Sequence, residues 1–242
     1  MGSWNASPCD GGPRSGTIVL NRLMHLARRR LREPRVDVRK LFPPLDRELD
    51  DCRQYFRGKV LNAGAGDRDI RHVIDGELVN QDIASGLHNA NIDIYSPLHA
   101  IPFADAYFDA VICNAVLEHV DNPHEVIAEF ARVLRADGIL YLCVPFMQPE
   151  HLDPTDFQRY TADGLKTLVR RHGFEVIDGQ GLHSVYTTLA WICLEWLRPI
   201  PGLRGWALRW AVLPWVRRMA RTSNRHVHSL ASAYRVIAKR SA

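Results

Sequence analysis

From Lys59 onward, apolar runs of strand length alternate with stretches of helical spacing. "KVLNAG" is apolar up to its glycine and predicts a buried strand. "GELVNQDI", "ANIDIYS", "FDAVICN", "ILYLCVPF" and "FEVIDGQG" predict further strands. "PHEVIAEFARVLR" places Val126, Ile127, Phe130, Val133 and Leu134 at helical spacing. Asn122 is its expected N-cap, Pro123 takes the first helical position, and Asp137-Gly138 is its expected end. "TADGLKTLVRRHG" predicts another helix, capped by Thr161 and closed by Gly173. Uninterrupted apolar strands separated by helices predict a parallel sheet covered on both faces, and right-handed crossovers make it doubly wound. Near the C-terminal end, "ASAYRVIAKR" alternates like a strand and is placed antiparallel at the close of the sheet.

The flanks read differently. Residues 1–17 are rich in Gly, Ser and Pro. "IVLNRLMHLARRRLRE", from Ile18, predicts an amphipathic helix, and "LDRELDDCRQYF" a second, shorter one after Pro43-Pro44. Past Gly181 come Trp191, Trp196, Trp206, Trp210 and Trp215, on two or three helices punctuated by Pro199, Pro201 and Pro214. This segment reads as a lid, as a membrane-surface element, or as extra core or dimer contact. The chain thus divides into an N-terminal arm with helices (1–50), a Rossmann-like core (51–182), a Trp-rich helical insertion (183–226) and a closing strand (227–242).

Composition adds three limits. A formal net charge of +4 hides a split: Arg28, Arg29, Arg30, Arg32 and Arg35 crowd one end, and no Asp or Glu follows Glu195. Basic ends suit anionic lipid, nucleic acid or anionic substrates, or are merely a solvated face. No RNA-reading signature accompanies them, so no nucleic-acid partner is expected. Cysteines 9, 52, 113, 143 and 193 form no CxxC pair and are odd in number, which argues for a reducing, cytoplasmic setting and against a disulfide framework or zinc site. The opening residues lack a signal-peptide pattern, and "LAWICLEWL" is too short to span a bilayer.

The candidate chemistry starts at "VLNAGAGDRD". Gly64 and Gly66 match the first two glycines of the dinucleotide fingerprint, but Asp69 stands where the third belongs and is unfavourable beside a pyrophosphate. S-adenosylmethionine, which carries no phosphate, is the alternative. Glycines let backbone come close to its methionine part, and Asp82 at the end of the second strand can accept from a ribose diol.

The stretch "IPFADAYFDAVICNAVLEHVDNPHEVIAEFARVLRADGILYLCVPF" resembles the Class I S-adenosylmethionine-dependent methyltransferases, the group with an LPF…FD…LEHV…VLKPGG signature. The resemblance runs from about Lys59 to Gly179, half of the chain. It implies a seven-stranded sheet whose last strand is antiparallel. It also implies that Asn62, Gly64, Ala65 and Gly66 lie beside the methionine part, Asp82 at the ribose and Ile83 at the adenine. Pro97 and Leu98 fall where the family approaches the adenine amino group, and Asn114 and Ala115 border the methionine and sulfonium. Three positions depart from the family pattern: Asn62 replaces an acidic residue, Arg68 a third glycine, and Pro97 an aspartate.

Methyl transfer needs alignment first and a base second. His119, in "LEHV", and His151, in "PEHLDPTDFQRYT", are the candidate bases; His119 is also readable as an anchor for the loop after it. Asp156 is expected to pair with Arg159, and Tyr160 to face the pocket. Some relatives bind a divalent metal through E-x-x-E-H at the first of these places. Here Ala115 stands at its first position, and no metal is expected. The expected activity is methyl transfer to a small-molecule acceptor, apolar or carrier-bound. The alternatives are a methyltransferase-like fold that binds the cofactor without transfer or serves as a partner protein, and an NAD-dependent reductase. Peripheral membrane contact and a homodimer are carried as open partner expectations.

Overall fold

The computed structural model describes residues 42–83, 91–152, 155–222 and 228–242. The helix expected from Ile18, and Asp153 and Pro154 of "PEHLDPTDFQRYT", lie outside the described residues.

Seven strands form one sheet: β1 (Arg57–Ala63), β2 (Asp75–Asp82), β3 (Ile94–Tyr95), β4 (Phe108–Asn114), β5 (Leu134–Pro145), β6 (Phe174–Leu182) and β7 (Ala233–Arg240). Their order is β3-β2-β1-β4-β5-β7-β6. The first five run parallel, and β7 pairs antiparallel with both β5 and β6. The expected sheet, with its antiparallel last strand, is what the chain forms.

Alternation along each strand builds two cores. Val111 and Cys113 of β4, Leu140, Leu142 and Val144 of β5, and Val236 and Ala238 of β7 face one side. There they meet Val126, Ile127 and Phe130 of helix α2 (Pro123–Val133) and Leu165, Leu168 and Val169 of helix α3 (Ala162–Arg171). Ala110, Ile112, Tyr141, Cys143 and Ile237 face the other side. There the cover is Leu45 of the short helix α1 (Leu45–Glu48), then Leu49, and Cys52 of a following 3₁₀ turn, with Phe56, Ile70 and Val73. Leu45 and Leu49, read from sequence as part of an N-terminal arm, are therefore built into the body.

Three local details differ from the sequence reading. Helix α2 ends at Val133, and Leu134 already pairs with Phe108. Pairing resumes at Ile139 with Ala110, so the residues between bulge out around Asp137, whose φ is +62°. Asn122 stands at the N-cap but its side chain makes no capping bond, whereas Thr161 Oγ1 accepts from Gly164 N at 3.2 Å. The Trp-rich segment forms two helices, α4 (Val185–Leu197) and α5 (Gly202–Thr222), separated by Pro199 and Pro201. Pro214 lies inside α5 and does not end it. No helix among the described residues is long and apolar enough to cross a membrane.

Candidate functional site

The parallel strands end along one edge, where ligands bind in open α/β sheets. On the β1–β2 side of this edge the backbone does the shaping. Gly64 and Gly66 adopt left-handed φ values of +69° and +59°. A Cβ on Gly64 would lie 2.4 Å from Val116 Cγ2, so both conformation and space demand glycine there. The turn is stitched to the end of β2: Gly64 N donates to Gln81 Oε1 (3.2 Å), Ala65 N to Gln81 O (2.9 Å) and Gly66 N to Asp82 Oδ2 (2.7 Å). Asp82 Oδ1 accepts from Ile83 N at 2.7 Å. A carboxylate has about four lone-pair directions, so these two bonds fix the orientation of Asp82 and leave it able to accept from a diol.

The other residues assigned by sequence to this half are spread around it. Ile83 is 62% exposed, an uncovered apolar surface beside Asp82. Asn62 is buried, and its Nδ2 donates to Asn80 Oδ1 across the β1–β2 pair (3.0 Å), which commits its amide to the sheet. Ala65 is buried and Pro97 exposed, while Leu98 packs into the main core. At the end of β4, Ala115 takes a left-handed φ of +54°. Asn114 Oδ1 is buried with no hydrogen-bond partner among the described residues. An orphaned acceptor at a sheet edge is what a ligand's donor would satisfy.

Arg68 is the residue whose part in this edge the sequence did not reveal. It sits where the family's third glycine belongs, and its Nη2 donates to both Gly64 O and Asn114 O at 3.1 Å. The guanidinium thus bridges the ends of β1 and β4, across the place assigned to the methionine moiety. Nearby, burial pushes the Glu48 carboxyl up to about 8, against the pull of Arg68 and Arg235.

On the β4–β5 side, side chains do the work. The loop after β5 is tied to the 3₁₀ turn Leu117–His119 after β4: Phe157 N donates to Glu118 O (2.8 Å), and Gln158 Nε2 to Leu117 O and Val120 O (3.0 Å each). These ties bring His151 to His119, with ring centroids 5.2 Å apart. Between them Glu118 is wholly buried, and neither of its carboxylate oxygens has a hydrogen-bond partner among the described residues. His119 Nε2 and His151 Nε2 each lie 3.6 Å from Glu118 Oε1. Each ring places its Nδ1 on a backbone carbonyl, His119 on Thr155 O and His151 on Pro149 O. Those Nδ1 atoms therefore donate, and the Nε2 atoms turn toward the carboxylate.

The neighbouring Glu118 carboxylate raises the His151 pKa above its ordinary value, against the effect of burial. Asp156 is expected to pair with Arg159 and does. Burial opposes the charge on Asp156, but Arg159 and the His151 backbone N–H hold its carboxyl at about 2. The Tyr160 hydroxyl donates to Gln158 Oε1 at 3.0 Å. Trp191 of α4 closes over His151 at 5.4 Å and touches Phe42 at 5.6 Å. The carboxylate and the two imidazoles bring their polar atoms within 4.8 Å of one another, close enough to share a proton or a cation. Linear spacing showed only Glu118-His119; His151 joins them through the fold.

Comparison with known proteins agrees with the fold. Residues 68–142 match the family described as a methyltransferase domain. An O-methyltransferase from Aspergillus nomiae is 31% identical over 88 residues, which are 32% of this chain and 39% of that protein, so the chain spans about two-fifths of that relative's length. The crystal structure of the cyclase SpnF superposes with a TM-score of 0.55 at 18% identity, over 81% of each chain. A SAM-dependent methyltransferase from Archaeoglobus fulgidus does so at 0.51 and 18% identity, over 90% of this chain and 99% of that one. The matched domain, the strand order and the antiparallel last strand agree with the fold of SAM-dependent methyltransferases.

Proposed function

We propose that this chain moves a methyl group from S-adenosylmethionine to a small-molecule acceptor, apolar or carrier-bound. The observation that carries the reading is the meeting, on one sheet edge, of a glycine turn stitched to Asp82 and a buried Glu118 flanked by two imidazoles. The residues present fit the cofactor. Asp82 has lone pairs left for a ribose diol, exposed Ile83 offers an apolar face to an adenine, and Asn114 Oδ1 offers an unused acceptor to an ammonium. The cofactor supplies an electrophilic methyl on a sulfonium. The chain's own residues hold the acceptor and take its proton. His151 receives that proton at Nε2, because its Nδ1 is occupied by Pro149 O, and the neighbouring Glu118 stabilises the imidazolium that forms. His119 orients the same carboxylate from its other flank. Trp191 shields the cluster from water. The cluster reads as a proton site because that needs nothing beyond the chain. Among the described residues the four cysteines are free, which suits a reducing, cytoplasmic setting.

A second reading rests on Arg68. Its bridge between Gly64 O and Asn114 O occupies carbonyls beside the methionine site, as expected of a fold kept for binding or partnership without transfer. That a cyclase shares the fold shows that fold alone does not decide the reaction. An assay with radiolabelled methyl donor against a metabolite extract separates the two. Label passing into an extractable small molecule, undiminished by a chelator, supports transfer through the proton site. Cofactor binding with no label passed on supports the second reading. Loss on chelation that a divalent cation restores would make the histidines ligands and not bases.

A further inference from the structure

Helices α4 and α5 pack against each other as a hairpin, and their outer surface is left over from everything described so far. On α4, Leu189, Ile192 and Trp196 are exposed at 43%, 41% and 57%, at spacings of three and four that put them on one face. On α5, Leu203, Trp210 and Trp215 are exposed at 78%, 41% and 60%. These are not the residues by which α5 packs. At about 100° per residue, buried Gly205, Leu213 and Val216 fall on one side of the helix, and Leu203, Trp210 and Pro214 on the opposite one. The solvent side of α5 is thus the more aromatic side, the reverse of an ordinary surface helix. Exposed large apolar side chains gathered in this number on one helix pair mark a docking face.

The charge around it selects the partner. From Trp196 to the last residue there is no Asp or Glu, while arginines recur from Arg198 through α5 and beyond. Arg198 flanks the α4 stripe, and Arg204 and Arg218 lie on the solvent side of α5. Arg198 is paired with Glu195 of α4 at 2.7 Å, so the charge argument rests on α5. There, tryptophan and leucine interleaved with arginine, without acidic residues, match a lipid headgroup layer, with aromatic rings at the boundary and guanidinium groups meeting phosphate. Neither helix is long and apolar enough to cross a bilayer, so the hairpin lies along its surface.

We propose that the outer face of the α4–α5 hairpin docks on an anionic membrane surface. The inner side of α4 carries Trp191 against His151, so docking sets the cluster beside the bilayer. The docking itself does not depend on the methyl-transfer reading.

The test uses the full chain and sedimentation with vesicles of phosphatidylcholine alone or mixed with phosphatidylglycerol. The expected result is binding to the mixed vesicles only, released by raised salt, with tryptophan emission shifting to shorter wavelength. Trp210→Glu combined with Trp215→Glu should weaken that binding at least about tenfold while leaving the thermal unfolding midpoint and cofactor binding unchanged. Both positions are exposed and lie outside the site, so the variant tests the face and not the fold. No binding to mixed vesicles, or equal binding by the double variant, overturns the proposal. So does a dimer in light scattering that the double variant breaks, because a second copy would then cover this face.

Discussion

Across the strand ends, the two halves of the cleft are held by opposite means. Between β1 and β2, three successive backbone N–H groups of Gly64, Ala65 and Gly66 are fastened to Gln81 and Asp82. The hydrogen bonds that fasten this half join residues 16 to 18 apart in the chain. Between β4 and β5, a buried carboxylate with no hydrogen-bond partner among the described residues faces imidazoles from two different loops. The first half is rigid and chemically quiet, as suits the holding of a cofactor. The second sets a buried, unpartnered carboxyl group among imidazoles, as suits proton handling. Holding and reacting should therefore separate by mutation.

The sharpest separation is expected at Gly64. Gly64→Val forces a branched side chain into a left-handed turn and against Val116. Cofactor binding should vanish in calorimetry, and stability should fall by at least about 1–2 kcal/mol from the backbone conformation alone. Retained binding would mean that the turn is not the holding element.

Next comes His151→Ala, with turnover reduced roughly 100-fold and cofactor affinity unchanged. His119→Ala should cost less, and the reverse order would move the base to His119. The base must be neutral to act, and its pKa is raised, so turnover should climb with pH and reach half its plateau above the ordinary imidazole value of 6.5. Glu118→Gln removes the cause of the shift and should move that climb to lower pH. An unmoved climb would dissociate His151 from the proton.

Asp82→Asn should weaken cofactor binding about tenfold, near 1.4 kcal/mol, with little change in turnover at saturation. A fall in turnover without a fall in affinity would break the division between the halves.

The smallest effect is expected at Arg68. If its bridge is a competitor for the methionine end, Arg68→Met should tighten S-adenosylhomocysteine binding about threefold. Weaker binding would make the bridge part of the holding frame instead.

The same contrast explains what the sequence disclosed. The strand pattern was legible because each central strand is buried on both faces and so reads as an unbroken apolar run, as in "FDAVICN". The glycine turn and Asp82 were legible because the spaced glycines and an acidic residue at a strand end stand in the sequence itself. The boundary after α2 was not, because β5 takes up Leu134 through pairing with Phe108, a contact no local preference encodes. Pro214 looked like a helix breaker, yet α5 runs through it. The convergence of His151 on Glu118 depends on Phe157 and Gln158 reaching the loop after β4, which spacing cannot show. Arg68 read as a mere departure from a motif; only coordinates show its side chain spanning two strands.

A crystal structure of the full chain grown with S-adenosylhomocysteine tests the central claim most directly. The account predicts the ligand above Gly64 and Gly66, its ribose hydroxyls on Asp82, its amino group at the end of β4, and the Arg68 side chain withdrawn. Arg68 still bridging Gly64 and Asn114 at saturating ligand, with Asp82 touching only its own backbone partners, would contradict it.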